Sequence, residues 1–171
     1  MPGKKARGVL VAVDGLRTAD LAAGAKTALR TLAGKGGVST WDASGIFFEL
    51  ERNQAQPGIR SARMLLLLYA ADLAFRLRWE IEPALDAGMN VAAAPYVDTA
   101  VAFGRAAGLP AKWLRDLFEF APAATGRHRV EASTRRGAAG FIDTACTILG
   151  DTGTVRARAA ELLAPANLRA K

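Results

Sequence analysis

Residues 11–34 read VAVDGLRTADLAAGAKTALRTLAG. An apolar run enters Asp14-Gly15, a short polar turn follows, and an alanine-rich segment with helical spacing stops at Gly34. Strand, glycine turn and helix in that order are what a phosphate-binding loop is built from, because the turn leaves backbone N–H groups free at a helix N-terminus. The GAKT string at 24–27 offers a lysine nearby. It has one residue too many between glycine and lysine and lies about two turns inside the helix, so Lys26 reads as a solvated helix residue.

Working outward, the 171 residues are 51% hydrophobic, enough for one domain with a substantial core and short for two. The longest apolar run, residues 64–71, is broken by Asp72 and falls short of the roughly 20 residues of a membrane span. The start is basic and then apolar, but its apolar part, residues 8–13, runs straight into Asp14-Gly15 with no small-residue cleavage site. The expectation is a cytoplasmic protein. A single cysteine, Cys146, and a single histidine, His128, exclude an internal disulfide framework and a Cys/His zinc site. No cofactor and no metal are expected.

The net charge of +7 raises nucleic acid as a partner. The arginines are scattered, however, and only Arg127, Arg129, Arg135 and Arg136 cluster. No aromatic residue is interleaved with them to stack on bases, so nucleic acid is not expected.

Short apolar runs alternate with longer amphipathic ones, which predicts an α/β domain with a mainly parallel sheet. Strands are expected at 8–13, 38–41, 89–94, 128–132 and 146–149, five in all. Helices are expected at 18–33, 58–87 (bent in its last turn by Pro83), 98–107, 110–120 and 155–163. The chain reads as a single domain over 1–171, with residues 1–7 a basic, flexible tail.

Residues 65–103, LLLLYAADLAFRLRWEIEPALDAGMNVAAAPYVDTAVAF, carry a resemblance. They are similar, without a gap, to the long helix "LLFAADRA", the "I-PAL-AG" string, the following strand and the "DRY-DS-AY" signature of thymidylate kinase, a P-loop nucleoside monophosphate kinase. Residues 11–15 resemble that family's first strand and the start of its phosphate loop, and residues 146–163 its last strand and closing helix. The resemblance implies a three-layer P-loop NTPase-like fold, a five-stranded sheet flanked by helices.

The departures bear on function. A phosphate loop needs closely spaced glycines, a lysine for the β/γ-phosphates and a hydroxyl for Mg²⁺. Counting from Asp14-Gly15, those positions hold Thr18, Ala19, Asp20, Leu21 and Ala22. The Asp-Arg of "DRY" reads Ala94-Pro95, with Tyr96 retained, and the arginine of "AADR" reads Leu73, with Asp72 retained. The "REPGG" loop reads Trp41-Asp42-Ala43-Ser44-Gly45, and the family's base-recognising Tyr-Gln reads Phe103-Gly104. Only residues 133–144 span the interval of the family's lid, so the lid is read as deleted.

Phosphoryl transfer rests on positioning and charge neutralisation, and this chain lacks the groups that supply them. The reading is a catalytically inactive thymidylate-kinase-like protein acting through protein–protein interaction. The alternative is a small-molecule or nucleoside sensor using a remnant acceptor pocket of Trp41, Asp72, Tyr96, Asp98 and Phe103. An enzyme with altered chemistry ranks last. Met64, Leu65, Leu66, Leu67, Leu68 and Tyr69 are apolar all round a predicted helix, so one face is expected to cover the sheet and the other a partner. In the resembled family this helix lies in a two-fold interface, which implies a homodimer first and a heterodimer with a related protein second.

Overall fold

The computed structural model describes residues 6–42, 45–53, 60–134 and 136–165. Its centre is β1 (Leu10–Asp14), every residue of which is buried. Alternate side chains of this strand serve opposite faces. Leu10 and Ala12 join the larger core, whereas Val11 and Val13 join a second cluster with Leu21, Ala25 and Ala28 of α1 (Thr18–Arg30). A strand covered on both faces has no polar side to show, which is why it reads as a continuous apolar run.

β2 (Gly36–Ser39), β3 (Asn90–Ala93) and β4 (Gly126–Arg129) complete a sheet of order β2-β3-β1-β4, with every pairing parallel. The described residues therefore form four strands, not the five expected. Residues 146–149, read as a strand, lie in a helix, α7 (Phe141–Leu149). A short buried apolar run fits either state locally, and burial of Phe141, Ile142, Ala145, Cys146 and Ile148 traces a helical face. Gly150, with φ of 70°, ends that helix in the left-handed conformation.

The long helix expected at 58–87 is three pieces. α3 (Ala62–Arg76) starts at Ser61, whose side chain accepts from the Met64 N–H at 3.1 Å; residues 58 and 59 lie outside the described residues. A π-helical turn follows at Leu77–Ile81, then α4 (Glu82–Asp86). The Glu82 N–H reaches the Leu77 carbonyl, five residues back, directly before Pro83, which has no N–H to continue the regular ladder. A helix not foreseen, α2 (Ile46–Arg52), buries Phe47.

α5 (Val97–Ala106) follows β3 after a cis Ala94–Pro95 bond. α6 (Ala111–Leu117) and α8 (Thr154–Leu163) lie close to the helices expected there. α3, α5, α7 and α8 share the larger core below the sheet, and α1 covers the other face. Arg7, assigned to the tail, pairs with Asp86 at 3.0 Å; residues 1–5 lie outside the described residues. No described helix is long and apolar enough to cross a membrane.

Candidate functional site

In an open parallel sheet the carboxyl ends of the strands face the usual ligand crevice. Here that edge carries Asp14, Ser39, Pro95 and Arg129. The Asp14 carboxylate is buried, and its Oδ1 accepts three hydrogen bonds: from the Tyr96 N–H at 2.9 Å, the Thr99 N–H at 2.9 Å and the Thr99 hydroxyl at 2.7 Å. It thus caps α5 from another strand, satisfying N–H groups that the first turn leaves without helical partners. Burial raises the Asp14 carboxyl above its ordinary 3.8, and the bonds from Thr99 and Tyr96 act against that rise. Gly15 donates its N–H to Thr99 Oγ1 at 3.2 Å.

The turn between β1 and α1 lies under Val130, Ser133, Ala139 and Gly140 of the same chain. Asp20 is buried and accepts from the Ser133 N–H at 2.9 Å and the Ser133 hydroxyl. The Thr18 hydroxyl donates to the Ala139 carbonyl at 3.3 Å. A Cβ on Gly15 would stand 2.5 Å from Val130 Cγ2, and one on Gly140 would stand 2.4 Å from the Leu16 carbonyl oxygen. Leu21 packs in the core with Val11, Val13 and Ala25. Ala22 is partly buried, and Lys26 is exposed along α1.

Of the residues expected to form an acceptor pocket, Trp41, Tyr96 and Phe103 share the larger core, whereas Asp72 and Asp98 are each paired with an arginine. Trp41 packs edge-on against Phe47 at 5.0 Å and Phe141 at 5.5 Å between ring centres. Phe103 is fully buried against the same Phe141 at 5.5 Å. Asp98 pairs with Arg129 at 3.1 Å, and Arg129 also donates to the Leu162 carbonyl at 3.0 Å. The Tyr96 hydroxyl donates to the Pro122 carbonyl at 2.6 Å, and burial pushes its phenol up to about 12. Residues 43 and 44 of the "REPGG"-like stretch, and Arg135 of the arginine cluster, lie outside the described residues.

Asp72, expected in the remnant acceptor pocket, stands four residues before Arg76 on α3. It accepts from Arg76 Nε at 2.8 Å, yet the arginine is only 2% exposed. Arg76 Nη1 also donates to the Pro95 carbonyl at 3.1 Å, so the guanidinium ties α3 to the end of β3. Burial raises the Asp72 carboxyl, and the Arg76 charge opposes that. The sequence signal was the i, i+4 spacing, which states who pairs but not how deep. Thr99 and Ser133 were missed because their partners are remote in sequence.

Leu65, Leu66 and Tyr69 are fully buried in the chain's own core, which removes them from any interface. Tyr69 donates its hydroxyl to the Tyr96 carbonyl and its ring packs on Phe141 at 4.5 Å. Met64 and Leu68 are partly buried and packed against that core. The large apolar residues exposed along α3 and the π-helical turn are Leu67 (53%), Phe75 (59%) and Trp79 (64%). Among the described residues no group of three or more His, Cys, Asp or Glu is arranged to hold a metal ion.

The fold is an α/β domain with a parallel sheet flanked by helices, an architecture shared with a solved nucleotide kinase. The solved thymidylate kinase of Candida albicans, a structure described as revealing the origin of broad substrate specificity, superposes with a TM-score of 0.57. The similarity covers 95% of this chain and 80% of that one at 15% sequence identity. No family model matches the chain, and no curated protein matches it in sequence.

Proposed function

We propose that this chain acts by binding another protein, as a catalytically inactive relative of thymidylate kinase, rather than by transferring phosphate. One observation carries the reading: the turn after β1 is occupied by the chain itself. Asp20 is committed to Ser133, Leu21 to the core and Thr18 to Ala139, with Val130 against Gly15 and Gly140 against Leu16. A carboxylate at the start of α1 repels phosphate where a working loop would attract it.

The outward face of α3 and the following turn supports an interaction role. Leu67 and Phe75 of α3 and Trp79 of the π-helical turn leave large apolar side chains exposed along this stretch. Large apolar side chains grouped on a surface favour a protein partner. A second copy of this chain is the first partner proposed, and a related protein the second.

The test combines two measurements on the full chain. Millimolar ATP with magnesium is expected to give no saturable rise in melting temperature, and thymidylate no phosphorylation. Light scattering is expected to give twice the monomer mass of 18.0 kDa, with Phe75→Glu returning it to monomer. A saturable nucleotide response overturns the inactive reading. A monomer at tens of micromolar overturns self-association.

A further inference from the structure

Away from the turn after β1, a hollow of about 270 Å³ opens where α5, α6 and the segment leading into β4 meet. Its apolar lining includes Val97, Val101, Leu114, Phe118 and the ring of Tyr96. Leu114, Phe118 and Tyr96 are themselves core residues, each at most 5% exposed, so this part of the wall is fixed by packing. Three charged residues border it: Arg115, Arg127 and Glu119.

The two arginines differ in what they already hold. Arg115 lies 3.8 Å from Asp116, a carboxylate that Lys112 also holds, and all three are solvent-exposed. Arg127, exposed on β4, makes no hydrogen bond or ion pair among the described residues. Its charge acts on the neighbouring Tyr96 phenol, which burial keeps neutral and whose hydroxyl donates a hydrogen bond to the Pro122 carbonyl.

We propose that this hollow binds a small hydrophobic carboxylate, its apolar body against Val97, Val101, Leu114 and Phe118 and its carboxylate on the Arg127 guanidinium. The volume lies just below the roughly 300–1,000 Å³ of sites for drug-sized ligands, which limits the occupant to a compact acid. A guanidinium pairs with a carboxylate through two parallel hydrogen bonds, and a single negative charge suits a rim holding two cations and one anion. A polyphosphate would meet Glu119 and leave the apolar lining uncovered. This site is independent of the interaction role above, since none of its residues lies on the exposed face of α3.

The probes are 3-phenylpropionate and octanoate, with 3-phenylpropanol and 1-octanol as uncharged counterparts, titrated into the full chain. Both acids are expected to raise the melting temperature saturably and to shift the amide resonances of Val97, Val101 and Phe118. The alcohols are expected to bind about tenfold or more weakly, as is either acid to Arg127→Gln, the loss of one charge-assisted contact. Arg127 is exposed, so the unliganded variant should melt with the native protein; Arg115→Gln should weaken binding less. Equal binding of acids and alcohols, an unaffected Arg127→Gln, resonance shifts elsewhere, or no response by about 10 mM would each overturn the assignment. A capped pentapeptide ending in a free phenylalanine carboxylate offers the same chemistry on a chain terminus. Binding it tenfold more tightly than the free acids would overturn the small-molecule assignment in favour of a peptide.

Discussion

Replacing Asp14 by alanine removes the single oxygen that receives three buried donors. Those donors are the Tyr96 N–H, the Thr99 N–H and the Thr99 hydroxyl, at 2.9, 2.9 and 2.7 Å. Each buried donor left without a partner costs about 1–3 kcal/mol. The Thr99 hydroxyl also lies 3.5 Å from the Gly15 carbonyl and can turn toward it, which lowers its share. Loss of a buried carboxylate offsets part of the rest, so the net expected is about 2–4 kcal/mol. For a domain of this size that corresponds to a melting temperature lower by roughly 5–15 °C. Asp14→Asn retains an oxygen at the Oδ1 position and should cost less than about half as much at neutral pH.

The same pair of variants separates acceptor from charge through pH. Burial raises the folded-state pKa of Asp14 above 3.8, so between the unfolded and folded values the native state binds more protons than the unfolded one. Stability from this group is then present below the unfolded pKa and falls as pH rises through the folded value. Asp14→Asn has no such dependence, so its stability relative to the native chain should rise from pH 4 toward neutrality. Urea unfolding across that range measures both effects. Equal destabilisation by asparagine and alanine, or an alanine cost under about 1 kcal/mol, would refute the capping argument.

Three further outcomes follow from the geometry. Asp72→Asn leaves the buried Arg76 guanidinium without its counter-charge and should cost about 3 kcal/mol in urea unfolding, whereas Asp72→Leu combined with Arg76→Met should recover much of that. Gly140→Ala places a methyl 2.4 Å from the Leu16 carbonyl oxygen, so the backbone at residue 140 must lift; a loss of about 1–3 kcal/mol and faster amide exchange at residues 15–19 are expected, and an unchanged exchange pattern would contradict the close contact. Burial first, then Asp151 and Asp143, push the Cys146 thiol up to about 12, so iodoacetamide at pH 8 should label it only after unfolding.

Local pattern was enough for much of the architecture. The continuous apolar run of β1, the helical spacing of α1, α5 and α8, and the parallel α/β class follow from periodicities set by each element's own geometry. The resemblance carried by residues 65–103 implied a kinase-like α/β fold, and the solved thymidylate kinase shares that fold. Even the i, i+4 partnership of Asp72 and Arg76 could be read from helix geometry alone. Tertiary packing decided the rest. It made residues 141–149 a helix, because a short apolar run takes its state from the surface it must cover. It turned Leu65, Leu66 and Tyr69 inward and left Leu67, Phe75 and Trp79 outside, a choice that depends on where α5 and α7 press against α3. It also brought Ser133 to Asp20 and Thr99 to Asp14, across 113 and 85 residues of chain. Hydrogen bonds of that separation have no local signature, since only the closed sheet sets the distance between their partners.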